Sequence, residues 1–202
     1  NQYTEYIYVG YRYFETFAKD AVQFPFGFGL SYTTFDLENV QVKALGDTVR
    51  VKATVKNTGS CPGKEVVQVY AAAPQGQLSK ASRVLCAFQK TKLLQPGQSQ
   101  ALTLTFSVTA MASFDDSGAT GHKNAWVLEA GDYGIYVGTD VRSAQQVGTF
   151  SQGELRVTAQ LQEACAPVTQ FDRLVNKDGQ KAYQPVPLAE HSLKERILDN
   201  LP

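Results

Sequence analysis

From Thr34 to about Val157, apolar side chains return at every second position. Val49, Val51, Ala53 and Val55 alternate with Arg50, Lys52, Thr54 and Lys56, and in the run before them Val40 and Val42 alternate with Gln41 and Lys43. A period of two predicts half-buried strands. Gly46-Asp47 separates these two runs as a hairpin turn would, and Asn57-Thr58-Gly59 closes the second. Further strands are predicted at Glu65 to Ala71, Arg83 to Gln89, Ser99 to Phe106, Ala125 to Leu128, Tyr133 to Val137 and Val147 to Val157, with Pro96-Gly97 and Ala130-Gly131-Asp132 as punctuation. So many short strands with no helical period between them predict an all-β sandwich rather than an α/β enzyme.

The flanks differ from this body. Residues 1–33 hold half of the chain's aromatic side chains, among them Tyr8, Tyr11, Tyr13, Phe24, Phe26 and Phe28, with few aliphatics. So dense a set reads as a segment pressed on a neighbouring surface, not as a small domain of its own. Pro25, Gly27 and Gly29 make Phe24 to Tyr32 a turn-rich loop. After Val157 the alternation fades, and Thr158 to Ala166 fits either an extended segment or a short helix. Residues 158–202 carry Pro167, Pro185, Pro187 and Pro202 among mixed polar residues and read as an extended linker. Within it Ser192 caps a short helical pattern that Pro202 would stop.

Composition narrows the function classes. The formal net charge is zero, with 19 basic and 19 acidic side chains, which offers no long-range attraction to nucleic acid or anionic lipid. No apolar run approaches the roughly 18 residues of a membrane span, and Asn1 to Tyr8 shows neither a basic start nor an apolar core of a signal peptide. The three cysteines, Cys61, Cys86 and Cys165, form no CxxC pair, and only two histidines are present. Free thiols, no metal site, no cofactor and a cytoplasmic location are therefore expected.

Catalytic chemistry leaves little trace. Asp115-Asp116, with Ser113, Ser117 and His122, mixes acid, hydroxyl and imidazole, but Asp, Ser and Gly in such density predict a turn held by side-chain to backbone hydrogen bonds. Glu5 and Glu15 are candidate sugar contacts for which a solvated face is the plainer expectation. Trp126, the single tryptophan, alternates with Leu128 in a predicted strand and is expected in the core. Arg12, between Tyr11 and Tyr13, is expected to stack or pair at a domain contact.

Several segments taken together resemble a known family. The run Tyr3 to Phe14 followed by Phe24 to Phe35 is similar to the junction in family 3 glycoside hydrolases where an α/β sandwich domain ends and a fibronectin type III-like domain begins. Val55-Lys56-Asn57-Thr58-Gly59, Gly63 to Tyr70, Leu94 to Ser99 and Gly131 to Gly138 resemble that domain's signatures in order and spacing, although Tyr6 stands where many relatives have Gly. The resemblance implies a fibronectin type III/immunoglobulin-like β-sandwich over residues 34–157, with residues 1–33 ending the preceding domain and residues 158–202 leading toward a barrel that follows. It also implies a retaining mechanism with an aspartate nucleophile on a (β/α)8 barrel and a glutamate acid/base on the α/β sandwich domain, about 5 Å apart. Neither segment lies in these residues, so no catalytic residue is assigned.

The expectation that results is a non-catalytic accessory domain of a β-glucosidase-like enzyme that stabilises and orients its catalytic domains. Its partners would be the barrel and α/β sandwich domains of the same parent chain. Tyr8, Tyr11, Arg12, Tyr13, Phe24, Phe26 and Phe28 are the expected domain-contact residues. A carbohydrate-binding module and a protein-interaction sandwich using an edge strand are the alternatives.

Overall fold

The computed structural model describes residues 2–190. The leading segment forms a short helix, α1 (Tyr11–Phe17), and a 3₁₀ turn at Lys19–Ala21. Nine strands follow from β1 (Phe35–Leu45) and β2 (Thr48–Asn57) through β3 (Val66–Ala72), β4 (Val84–Lys90), β5 (Ser99–Ser107), β6 (Ser113–Asp115), β7 (Ala125–Leu128) and β8 (Gly131–Gly138) to β9 (Gln145–Gln152). They are followed by β10 (Arg156–Gln160) and a hairpin of β11 (Asp172–Lys177) and β12 (Gln180–Pro185). A three-stranded sheet of order β1-β2-β5 faces a four-stranded sheet of order β4-β3-β8-β9, and every pairing in both is antiparallel. The fold is mostly β, as expected.

Alternation places the core. In β2, Val49, Val51 and Val55 turn inward while Arg50 and Lys52 meet solvent. They pack with Leu102, Leu104 and Phe106 of β5 against Val67 and Val69 of β3 and Tyr133, Ile135 and Val137 of β8. This is the two-layer solution for sheets with one apolar face each.

The central strand β3 breaks the rule in an informative way. Five consecutive residues, Val67 to Ala71, are buried. A strand buried on both faces must be covered on its outer side as well, and the leading segment is the cover. Tyr70 meets Tyr11, Val141 and Ala144 there.

Three expectations change. The run Val147 to Val157 is two strands, β9 and β10, which end in different sheets with Gly153 between them. Thr158 to Gln160 completes β10, so the ambiguous stretch begins extended. Where a linker was expected, β11 and β12 form a hairpin closed by Asp178 and Gly179, whose φ angles are 53° and 79°. Asp-Gly is the strong signal for such a turn, and the prolines around it masked the short flanking strands. The helical pattern beginning at Ser192 lies outside the described residues. Among those described, no helix is long and apolar enough to cross a membrane.

Candidate functional site

The leading segment divides its aromatic side chains between two tasks. Tyr8 is 1% exposed and packs with Ala81 and Leu174. Its hydroxyl lies 2.5 Å from Ser79 Oγ and accepts the Asn176 N–H at 3.1 Å. Burial pushes this phenol above its ordinary pKa. Tyr11 stacks on Phe26 at 4.5 Å and accepts the Leu85 N–H at 2.9 Å, tying α1 to strand β4. Tyr13 meets Phe17 edge-on, and the Lys181 ammonium sits over its ring and donates to its hydroxyl. These three rings fasten the leading segment to the sandwich and to the tail hairpin.

The following loop points outward. Phe24 and Phe28 stack at 5.0 Å and are exposed, as is Phe26. Further along the same loop, Leu30 and Tyr32 are 92% and 98% exposed. The backbone beneath is anchored, because the Val141 N–H donates to the Phe26 carbonyl at 3.0 Å and the Phe28 N–H to Pro25 at 3.0 Å. Gly27, at φ +88°, lies against the Gln68 amide with no room for a Cβ. Exposed apolar side chains gathered on one loop are a feature that interaction surfaces share. Of the seven expected contact residues, the structure thus buries Tyr8, packs Tyr11 and Tyr13 half-buried against the sandwich and the tail hairpin, sets Phe24, Phe26 and Phe28 outside, and leaves Arg12 half-buried on the wall of a groove.

The remaining candidates resolve by their partners. Glu15 was expected on a solvated face. It is buried and accepts from Arg142 Nε at 3.0 Å, which ties α1 to the loop after β8. Glu5 is exposed, as is His122. Asp115 is the hub of the predicted turn: Oδ1 accepts Gly118 N–H at 2.7 Å and Ser117 Oγ at 2.9 Å, and Oδ2 accepts Thr120 Oγ1 at 2.7 Å. Trp126 was expected in the core but is 41% exposed. Only the Leu128 end of β7 reaches under the sandwich core. Ala125 and Val127 on either side are fully buried, so it is the Trp126 side chain alone that is left open, lining a groove where its ring meets Phe114 at 5.4 Å. Burial pushes the Cys86 thiol up to about 12, so it carries no thiolate at neutral pH. Among the described residues, no three His, Cys, Asp or Glu side chains group as metal ligands would.

The sequence concealed one further residue. Arg173 on β11 is buried, pairs through both terminal nitrogens with Asp116, and lies 4.1 Å from the centre of the Tyr6 ring. Burial, reinforced by Asp116, pushes the Tyr6 phenol up to about 12. One guanidinium thus joins the leading segment, the Asp115 turn and the tail hairpin. Its partner lies 57 positions away, beyond any local motif. Arg173→Met is expected to cost about 2 kcal/mol in urea unfolding and to admit protease between Asp178 and Gln180 before the sandwich opens. A tail that stays as resistant as in the parent protein would contradict the clamp.

Comparison with known proteins agrees with this architecture. Residues 65–141 match the fibronectin type III-like domain model. A β-glucosidase from Ruminococcus albus is 50% identical over 99% of the chain, and β-glucosidase A from Butyrivibrio fibrisolvens is 42% identical over 93%. The solved β-glucosidase from Paenibacillus barengoltzii superposes over 100% of the chain with a TM-score of 0.91 at 50% identity. The chain spans 21% and 24% of the two relatives' lengths and 23% of the solved one. Likeness over nearly every residue, the two-sheet topology and the order of the motifs converge, and the chain belongs with the fibronectin type III-like domains of family 3 glycoside hydrolase β-glucosidases.

Proposed function

We propose that this chain is a non-catalytic brace within a β-glucosidase-like parent, holding a (β/α)8 barrel and an α/β sandwich domain in register. The observation that carries this reading is the exposed apolar set of Phe24, Phe26, Phe28, Leu30 and Tyr32 on one anchored loop, in a chain that spans about a fifth of its relatives. Each large apolar side chain buried against a neighbour contributes about 1.5–3 kcal/mol. Two carboxylates on separate domains need such support, since a misplacement of about 1 Å can cost on the order of a hundredfold in rate. The free thiols of Cys61, Cys86 and Cys165 accord with a cytoplasmic setting, which is part of the proposal.

The 202-residue chain alone is expected to release no nitrophenol from an aryl β-glucoside, and Phe24→Ser with Phe28→Ser in the parent enzyme is expected to speed its thermal inactivation. Hydrolysis by the isolated chain would overturn the reading. The exposed Trp126 ring favours a second reading, carbohydrate binding, because it removes the objection that this ring is buried. Retention of the isolated chain on insoluble glucan would support that reading over the brace.

A further inference from the structure

A groove of about 580 Å³ opens where the leading segment crosses the rim of the sandwich. That volume falls in the range of small-ligand pockets, roughly 300–1,000 Å³, and is ample for one bulky side chain with its immediate neighbours. Small side chains such as Ala73, Ala81 and Ala112 keep it open, and Tyr6 and Trp126 supply aromatic walls. Its charged members differ in state. Lys80 is already paired with Glu129, whereas Arg12 takes part in no ion pair among the described residues. Arg142, Arg156 and Arg173 each hold a carboxylate. A body that fills the groove would strip water from the Arg12 guanidinium, which is costly unless it brings an anion.

We propose that the groove seats a segment of the parent chain from outside these 202 residues, in which a bulky apolar side chain enters beside Trp126 and an adjacent Asp or Glu pairs with Arg12. This rests on the brace reading and names the partner's chemistry. Two observations favour a protein segment over a sugar. About four-fifths of the relatives' length lies outside the matched region and has to meet this domain somewhere. The walls are largely apolar, with one cation that is unpaired among the described residues, whereas a sugar's hydroxyls require many hydrogen-bonding partners. The same helix serves both surfaces, since Tyr11 stacks on Phe26 of the exposed loop while Arg12 lines the groove.

The test uses Arg12→Glu, Arg12→Lys and Ala110→Phe, the last narrowing the groove from an exposed position on its lining. In the 202-residue chain each should leave the unfolding midpoint within about 1 °C, because none removes a described ion pair or core contact. In the parent enzyme, Arg12→Glu and Ala110→Phe should shorten the half-life of activity at a fixed inactivating temperature roughly fivefold, with Arg12→Lys close to the parent. No change with these two variants, while Phe24→Ser/Phe28→Ser does shorten it, would overturn the groove assignment and leave the brace standing. No change with any of them would overturn both. Trp126 is the only tryptophan, so its emission reports occupancy in the isolated chain. A saturable shift with cellobiose, abolished by Ala110→Phe, would overturn the proposal in favour of a sugar site. A concentration-dependent dimer abolished by the same variant would overturn it in favour of a second copy.

Discussion

Glu129→Gln is expected to lower the thermal midpoint of this chain by about 10 °C. The Lys80 and Glu129 side chains are 4% and 7% exposed and pair with one another. Glu129 also accepts the Gln77 N–H at 2.6 Å and the Leu78 N–H at 3.3 Å, so one carboxylate gathers the whole loop between β3 and β4. Gly76 lies against that carboxylate with no space for a side chain. Removing the charge leaves an ammonium buried without its anion, a loss of about 3–5 kcal/mol. At 2–4 °C per kcal/mol for a domain of this size, that is about 10 °C. Lys80→Met with Glu129→Leu should recover a large part of the loss, since buried apolar groups need no counter-ion.

The consequence extends to the proposed function. Ser79 in this loop touches the Tyr8 hydroxyl, and Asn176 donates to both Ser79 and the Lys80 carbonyl. Loosening the pair therefore frees the leading segment and the tail hairpin together. Calorimetry on the single and paired variants checks this. A single variant that melts within 2 °C of the parent protein would show that the pair is wet.

Asp115→Asn is expected to cost about 2–3 kcal/mol at pH 7 and to flatten the acid limb of the stability curve. Burial pushes the Asp115 carboxyl up, but the hydrogen bonds from Thr120, Ser117 and Gly118 outweigh it and hold the group below the usual carboxylate range. A folded-state pKa below the unfolded one means that the stabilisation is complete above about pH 4, the unfolded value, and is lost as pH falls through the folded value. Asp47, on the surface, is also held below the usual carboxylate range by its hydrogen bonds to Arg156 and adds to the acid limb. Asp115→Asn should therefore remove only part of the acid slope. Urea unfolding from pH 7 down to pH 2.5 measures it, and an unchanged slope would contradict the role of the carboxylate.

Local order decided how much was legible in advance. In β2 the alternation of valine with arginine and lysine is set by the pleat, so strand, inward face and turn could all be read from neighbours. The same reading broke down at Trp126. Period two correctly joined it to a strand, yet whether a side chain is covered depends on what lies across from it, here Phe114 and an open groove. Glu15 fails for the matching reason: its burial is created by Arg142, far along the chain. The tail hairpin carried its Asp-Gly turn in plain sight, but six-residue strands between prolines are too short for periodicity to declare them.

The order of short alternating segments and their turns was enough to establish a β-sandwich, and the spacing of its motifs was enough to establish its kinship, because both are properties of neighbouring residues. Folding in three dimensions chose which aromatic rings became anchors and which became a surface. Tyr8 and Tyr32 look alike on paper, and one is sealed while the other is bare. Burial of a ring is conferred by distant partners such as Ala81 and Leu174, and no local pattern records them.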